Sequence, residues 1–166
     1  MERVILIGCG GSGKSTLARQ LGEKTGIPVV HLDKLYWRSN WNGVSKEEFD
    51  TFLEQELEKP QWIMDGNFNR TLPRRLQECD TVIYLDFSRW ICIWSVLKRV
   101  WTYHGTTRPD MGENCQERLD FGFLRWVWNY NSKNRENNYK LLKEQKNVKI
   151  IILKNRRQVR KFLESV

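Results

Sequence analysis

Histidine and paired cysteine are scarce in this 166-residue chain: there are two histidines, His31 and His104, and four cysteines, Cys9, Cys79, Cys92 and Cys115. No CxxC pair occurs, which excludes a zinc ribbon or a thioredoxin-type centre and predicts free thiols in a reducing compartment. No apolar run approaches the roughly 18 residues of a membrane span. The opening MERVILIG has no long apolar stretch ending at a small-residue cleavage site. The expectation is a soluble cytoplasmic protein with no membrane partner, a monomer or homodimer. Internal repeats and low-complexity linkers are also missing, so residues 1–166 read as a single domain. Acidic residues thin out in one place. Of a net charge of +8, none comes from residues 1–132, which hold seventeen basic and seventeen acidic side chains, whereas residues 133–166 hold eleven and three.

What is present is an alternation of two patterns. Short apolar runs rich in β-branched residues lie at 4–7, 28–32, 62–64, 81–85 and 148–153. They read as strands buried on both faces. Helical patterns fill the gaps at 15–24, 46–59 after Ser45, 89–103 after Ser88, and about 116–145. This predicts an α/β fold with a parallel sheet of five strands. The segment 105–115, GTTRPDMGENC, lacks apolar periodicity and reads as a loop, a candidate lid around 104–117.

Gly8-Cys9-Gly10-Gly11-Ser12-Gly13-Lys14-Ser15 fits GxxxxGK[ST] between a predicted strand and a predicted helix, the context that makes this motif a phosphate-binding loop. Backbone N–H groups from Gly8 to Thr16 would cradle the phosphates of ATP, Lys14 would reach the terminal ones, and Ser15 would bind Mg²⁺. Ligands of open α/β sheets sit beyond the strand carboxyl ends. Asp33 and Asp65, which end the second and third predicted strands, are therefore candidates to support Mg²⁺, and Asp33 also to take a proton from an acceptor hydroxyl. Asp86 is a third carboxylate so placed. Arg99, Arg108, Arg118 and Arg125 cluster around the loop, the last two seven apart on one predicted helical face, to stabilise charge on a transferring phosphoryl group. Tryptophan is abundant, with eight residues. Trp90, Trp94, Leu97 and Trp101 form a helical stripe expected to pack on the sheet or lid, while Trp37 and Trp41 follow Asp33, where a ring would stack on a planar acceptor.

The segments GCGGSGKST, HLDKLYW, WIMDGNFNRT, TVIYLDFSR, RPDM and FLRWVWNY together resemble the small P-loop kinase-like DNA topology modulation proteins, over nearly the whole chain. The likeness extends more loosely to adenylate and shikimate kinases. It implies a three-layer P-loop fold with sheet order 2-3-1-4-5 and a lid between the fourth and fifth strands. It also implies that Asp65 and Gly66 match an Mg²⁺-positioning Asp-Gly pair. Arg70 would be an acceptor-binding arginine displaced by one position, and Asp33 would act on an acceptor hydroxyl. Arg99 matches a phosphate-binding arginine, and Asn155 lies in the turn flanking the adenine. The reading is an ATP-dependent kinase of a small hydroxyl-bearing, nucleoside-like or nucleotide-like acceptor, with Trp37, Asp65, Gly66 and Arg70 beside it. A second reading, from the acid-free 154–163 segment with Lys154, Arg156, Arg157, Arg160 and Lys161, is a nucleotide-regulated nucleic-acid-binding protein.

Overall fold

The computed structural model describes residues 1–166. Its elements begin with β1 (Arg3–Gly8), α1 (Lys14–Thr25), β2 (Val29–His31), α2 (Leu32–Tyr36), β3 (Trp37–Arg38) and β4 (Asn42–Gly43). They continue with α3 (Lys46–Leu57), β5 (Trp62–Asp65), α4 (Leu72–Glu78), β6 (Thr81–Leu85), α5 (Arg89–Tyr103), α6 (Phe121–Lys143), β7 (Lys149–Leu153) and α7 (Arg156–Glu164). Five strands form one parallel sheet in the order β2-β5-β1-β6-β7. Counted along the chain within that sheet, this is the order 2-3-1-4-5 that the resemblance implies. Val4 to Ile7 of the central strand are all buried, which explains their unbroken apolar character.

Helices cover both faces. Leu17, Ala18 and Leu21 of α1 and Cys92, Val96, Val127 and Tyr130 of α5 and α6 join one core. Phe49, Leu53 and Leu57 of α3 with Leu72 and Leu76 of α4 join the other. The strand register sets His31 beside Asp65, Asp65 beside Leu6, and Gly8 beside Leu85, so the residues that follow these strands gather at one edge.

Two helical expectations are corrected. The long helix begins at Phe121, five residues later than the pattern predicts, because Asp120 caps it by accepting the Phe123 N–H at 3.0 Å and residues 116 and 117 bridge back to 107 and 104. Arg118 is therefore on the loop, and it shares no helical face with Arg125. The second correction concerns the Trp90, Trp94, Leu97, Trp101 stripe, which is exposed. Helix α5 turns Cys92 and Val96 inward instead. The phosphate-binding loop lies against that side, where a side chain at Gly11 would collide with the Cys92 carbonyl and Val96. Only a small face of α5 fits there, and the bulky one is left outside.

Residues 104–120 do not hang free. The Gly105 N–H donates to the Glu117 carbonyl and the Glu117 N–H to that of Thr106. The loop lies on the β3–β4 ribbon: the Trp41 indole donates to the Gln116 carbonyl at 3.1 Å, the Cys115 thiol approaches the Arg38 carbonyl at 3.2 Å, and a side chain at Gly112 would strike the Trp37 carbonyl.

Candidate functional site

The chain between β1 and α1 folds into the loop that the motif predicts. Gly11 and Gly13 have φ of 80° and 94°, values an L side chain resists. The Ser12 N–H donates to the Cys9 carbonyl at 3.1 Å, and Lys14 Nζ reaches back across the loop to the Gly8 and Cys9 carbonyls at 2.9 and 3.1 Å. The loop opens onto a cavity of about 1240 Å³, room for a nucleotide together with a second small molecule. Gly10, Gly11, Gly13, Lys14, Ser15 and Thr16 line it. Cys9 does not. Its thiol is buried, close to the Val127 carbonyl at 3.6 Å, and burial and Cys92 push it well above the ordinary thiol range. The Ser12 hydroxyl is buried with no partner.

Opposite the loop, the cavity is lined by His31, Asp33, Trp37, Trp41, Asn67 and Phe68. No protein donor is aimed at Asp33. Burial and the neighbouring Asp65 raise its pKa, with Lys14 and Arg108 opposing. Asp65 lies beneath the lining, buried, with its Oδ1 2.5 Å from His31 Nδ1. Burial pulls the His31 imidazole down, but the Asp65 hydrogen bond and charge outweigh it and leave the pKa raised. Hard oxygen donors and an uncompensated carboxylate facing the P-loop suit Mg²⁺. The donors on the cavity wall are Ser15 and Asp33, while Asp65 sits one layer back. No group of three His, Cys, Asp or Glu side chains converges to form a cage.

The arginines divide. Arg99 Nη2 lies 2.9 Å from Glu117 Oε1, and Arg108 Nε lies 2.7 Å from Glu117 Oε2, with Arg108 Nη1 2.7 Å from Asp110. Burial and Arg108 pull the Arg99 guanidinium below its ordinary value, Glu117 opposing. Arg99, Arg108 and Arg118 line the cavity, whereas Arg125 does not and is exposed on α6. Arg70 is also away from it, paired through both nitrogens with Asp50 at 2.8 and 2.7 Å. Gly66 is absent from the lining. Its φ of 138° and its contact with Leu32 shape the turn after β5. Asn155 caps α7 by accepting the Gln158 N–H at 3.0 Å and does not reach the cavity. Asp86 accepts from Arg135 at 2.8 Å and from the Tyr139 hydroxyl at 2.8 Å, so its acceptor capacity is used outside the site.

Several site residues escape sequence reasoning. Glu117 is buried at 4% exposure and joins two arginines that motif reading treats singly. Arg75 is fully buried and donates to the Gly66, Asn67 and Phe68 carbonyls at 3.1, 2.7 and 3.2 Å. Burial pulls it down to about 10. The turn it holds presents the Asn67 Oδ1 to the Gly8 N–H at 3.2 Å, tying the mouth of the loop to β5. Arg156, from the basic C-terminal segment, packs on Gly13 and donates to the Ser95 hydroxyl at 3.3 Å. Its only signal in the sequence is its place just after the last strand.

With this geometry in view, comparisons with known proteins agree on the fold. A gluconokinase from Sinorhizobium meliloti superposes with TM-score 0.59 at 12% identity, covering 99% of this chain and 92% of that one. A shikimate kinase from Acinetobacter baumannii, solved with shikimate, gives 0.63 at 16%, covering 99% and 90%. One from Bacteroides thetaiotaomicron gives 0.55 at 13%, covering 99% and 95%. The chain thus has the fold of the P-loop kinases. In sequence, an adenylate kinase of Thermotoga neapolitana is 30% identical over 91 residues, 52% of this chain, and the match spans 39% of the length of that relative. No family model matches.

Proposed function

We propose that the protein is an ATP-dependent phosphotransferase that moves the γ-phosphoryl group to a small hydroxyl-bearing acceptor. The observation that carries this reading is a single cavity walled by the P-loop, by the unpaired Asp33 carboxylate, and by the Arg99–Glu117–Arg108 cluster. Fold likeness to a gluconokinase and two shikimate kinases supports it.

The residues divide the work. The loop N–H groups and the α1 N-terminus bind the triphosphate, and Lys14 exchanges its two carbonyl contacts for phosphate oxygens. Ser15 and Asp33 would hold Mg²⁺, which neutralises charge on the β- and γ-phosphates. Asp33, raised but facing Lys14 and Arg108, accepts the acceptor's hydroxyl proton as the oxygen attacks. Arg99 and Arg108, pre-aligned by Glu117, stabilise the equatorial oxygens. Trp37, Trp41 and Phe68 give the acceptor end flat apolar walls that exclude water as a competing nucleophile. Residues 104–120 serve as the lid. The resemblance to a nucleoside monophosphate kinase stops at Arg70: held by Asp50 away from the cavity, it offers an acceptor phosphate no contact.

The test is ADP formation from ATP and Mg²⁺ across a panel of nucleosides, nucleotides and small alcohols. Lys14→Ala is expected to abolish transfer to the responding acceptor with an unchanged circular dichroism spectrum. Transfer by Lys14→Ala at the wild-type rate sinks the assignment.

A further inference from the structure

Helix α5 and the first half of α6 leave a large apolar surface uncovered. Trp90, Trp94 and Trp101 are 68%, 70% and 89% exposed, and Phe121 is 76% exposed. Rings of this size are ordinarily well buried, and exposed apolar patches of such extent mark interaction sites. The surface spans both helices. The Trp90 and Trp128 rings, one from each, meet edge to face at 4.8 Å, and it borders the cavity, which Trp94, Lys98, Arg99 and Phe123 of the same helix pair line. Ile91, Leu97 and Leu119 are exposed among the rings.

Charge across this face is predominantly of one sign, the exception being Asp120, the exposed α6 cap between Leu119 and Phe121. No carboxylate occurs in α5, and none occurs in α6 before Glu136, while Arg89, Lys98 and Arg125 are interspersed. The acid-free start of α7 lies alongside, since Arg156 hydrogen-bonds Ser95 of α5 and Lys154 shares a small concavity with Arg89 and Trp90. The basic excess of the C-terminal segment and the exposed tryptophans therefore belong to adjoining surface.

We infer that this face docks on an anionic lipid surface. Tryptophan and phenylalanine with scattered aliphatic side chains enter the boundary between headgroups and acyl chains, while lysines and arginines around them meet anionic headgroups. This differs from crossing a bilayer, for which no helix is long and apolar enough. A second copy fits less well, because a two-fold contact would press two predominantly basic faces together. A single-stranded nucleic acid would match the cations and stack on rings, but it has nothing to set against Ile91, Leu97 and Leu119. The Trp128 ring is moreover already covered by Arg89 at 5.1 Å.

The experiment is co-sedimentation of the whole protein with phosphatidylcholine vesicles, with and without phosphatidylglycerol. Binding is expected to the anionic vesicles, weakened by salt, with a blue shift of tryptophan emission. Trp101→Ser/Phe121→Ser, both outside the cavity lining, should lower it at least about tenfold with an unchanged melting temperature. Arg157→Glu/Arg160→Glu should lower it without altering the apolar face. Absence of binding to anionic vesicles at low salt overturns the inference, as does binding that the double serine variant retains. Preferential binding of a single-stranded oligonucleotide, lost in the same variant, would assign the face to nucleic acid instead. Self-association in the ultracentrifuge, lost in that variant, would assign it to a second copy.

Discussion

Asp33 sits where its ionised form costs stability. Burial and Asp65 raise its pKa, so the folded state holds the proton more tightly than the unfolded chain, and the ionised form is the disfavoured one. Asp33→Asn is accordingly expected to raise the urea midpoint at neutral pH while lowering turnover about a hundredfold or more. Equal losses in turnover and ATP affinity would leave Asp33 only its metal-supporting role and remove it as the base. Glu117 has the opposite character. It is the shared partner of Arg99 and Arg108, and neutralising it leaves two desolvated cations with weaker acceptors. Glu117→Gln should cost about 3 kcal/mol in a denaturant titration. It should also lower kcat more than it changes the KM for ATP, because the arginines lose their alignment and the P-loop does not. Neither effect was legible in the sequence, where Arg99 and Glu117 stand eighteen positions apart and no motif joins them.

Among the elements, the phosphate-binding loop and the five sheet strands were legible because each rests on a local pattern: an apolar run for β1, β6 and β7, and a glycine spacing for the loop. Helices α2 and α4 were not, since five and seven residues are too short to display a period. The β3–β4 ribbon has no sequence signature for a different reason. Its turn needs φ of 61° and 62° at Asn40 and Trp41, and tryptophan gives no hint of that conformation. The α5 stripe misleads because periodicity marks an apolar face without saying which side the neighbours can accommodate. Where residues 104–120 meet the ribbon, Gly112 leaves no space for a side chain beside the Trp37 carbonyl. Gly112→Val should therefore lift residues 104–120 off the ribbon, lowering stability by about 1–3 kcal/mol. It should also speed proteolysis within that segment relative to the rest of the chain; an unaltered cleavage pattern would contradict the packing.

At the scale of the whole molecule, titration has two opposing limbs. Hydrogen bonds and ion pairs hold the Asp50, Glu78 and Asp80 carboxyls below their ordinary values, partly offset by desolvation, which is the largest influence on Asp80. Their contribution is present above the unfolded carboxylate range and is lost as pH falls through the folded pKa values. His31, buried yet raised by Asp65, contributes fully below its unfolded value near 6.5, and this contribution is lost as pH rises through its folded pKa. Stability should thus climb out of the acid range and decline again as pH rises through the folded His31 pKa. His31→Asn should flatten the alkaline limb in urea midpoints measured across pH, and an alkaline limb that persists would remove His31 as its source.

The contact between Arg156 and Gly13 also carries a consequence for the order of assembly. The phosphate-binding loop occupies residues 8–15, well before the last helix, and its strand takes the centre of the sheet. Yet the side chain packed on Gly13 belongs to the last helix, and the strand leading to that helix is the edge strand β7. A ribosome-bound chain therefore displays the nucleotide motif long before it possesses the nucleotide site. Until residues 149–156 emerge and add the final strand, the loop lacks one of its walls, and a ligand that prefers the finished site rewards the chain for completing its sheet.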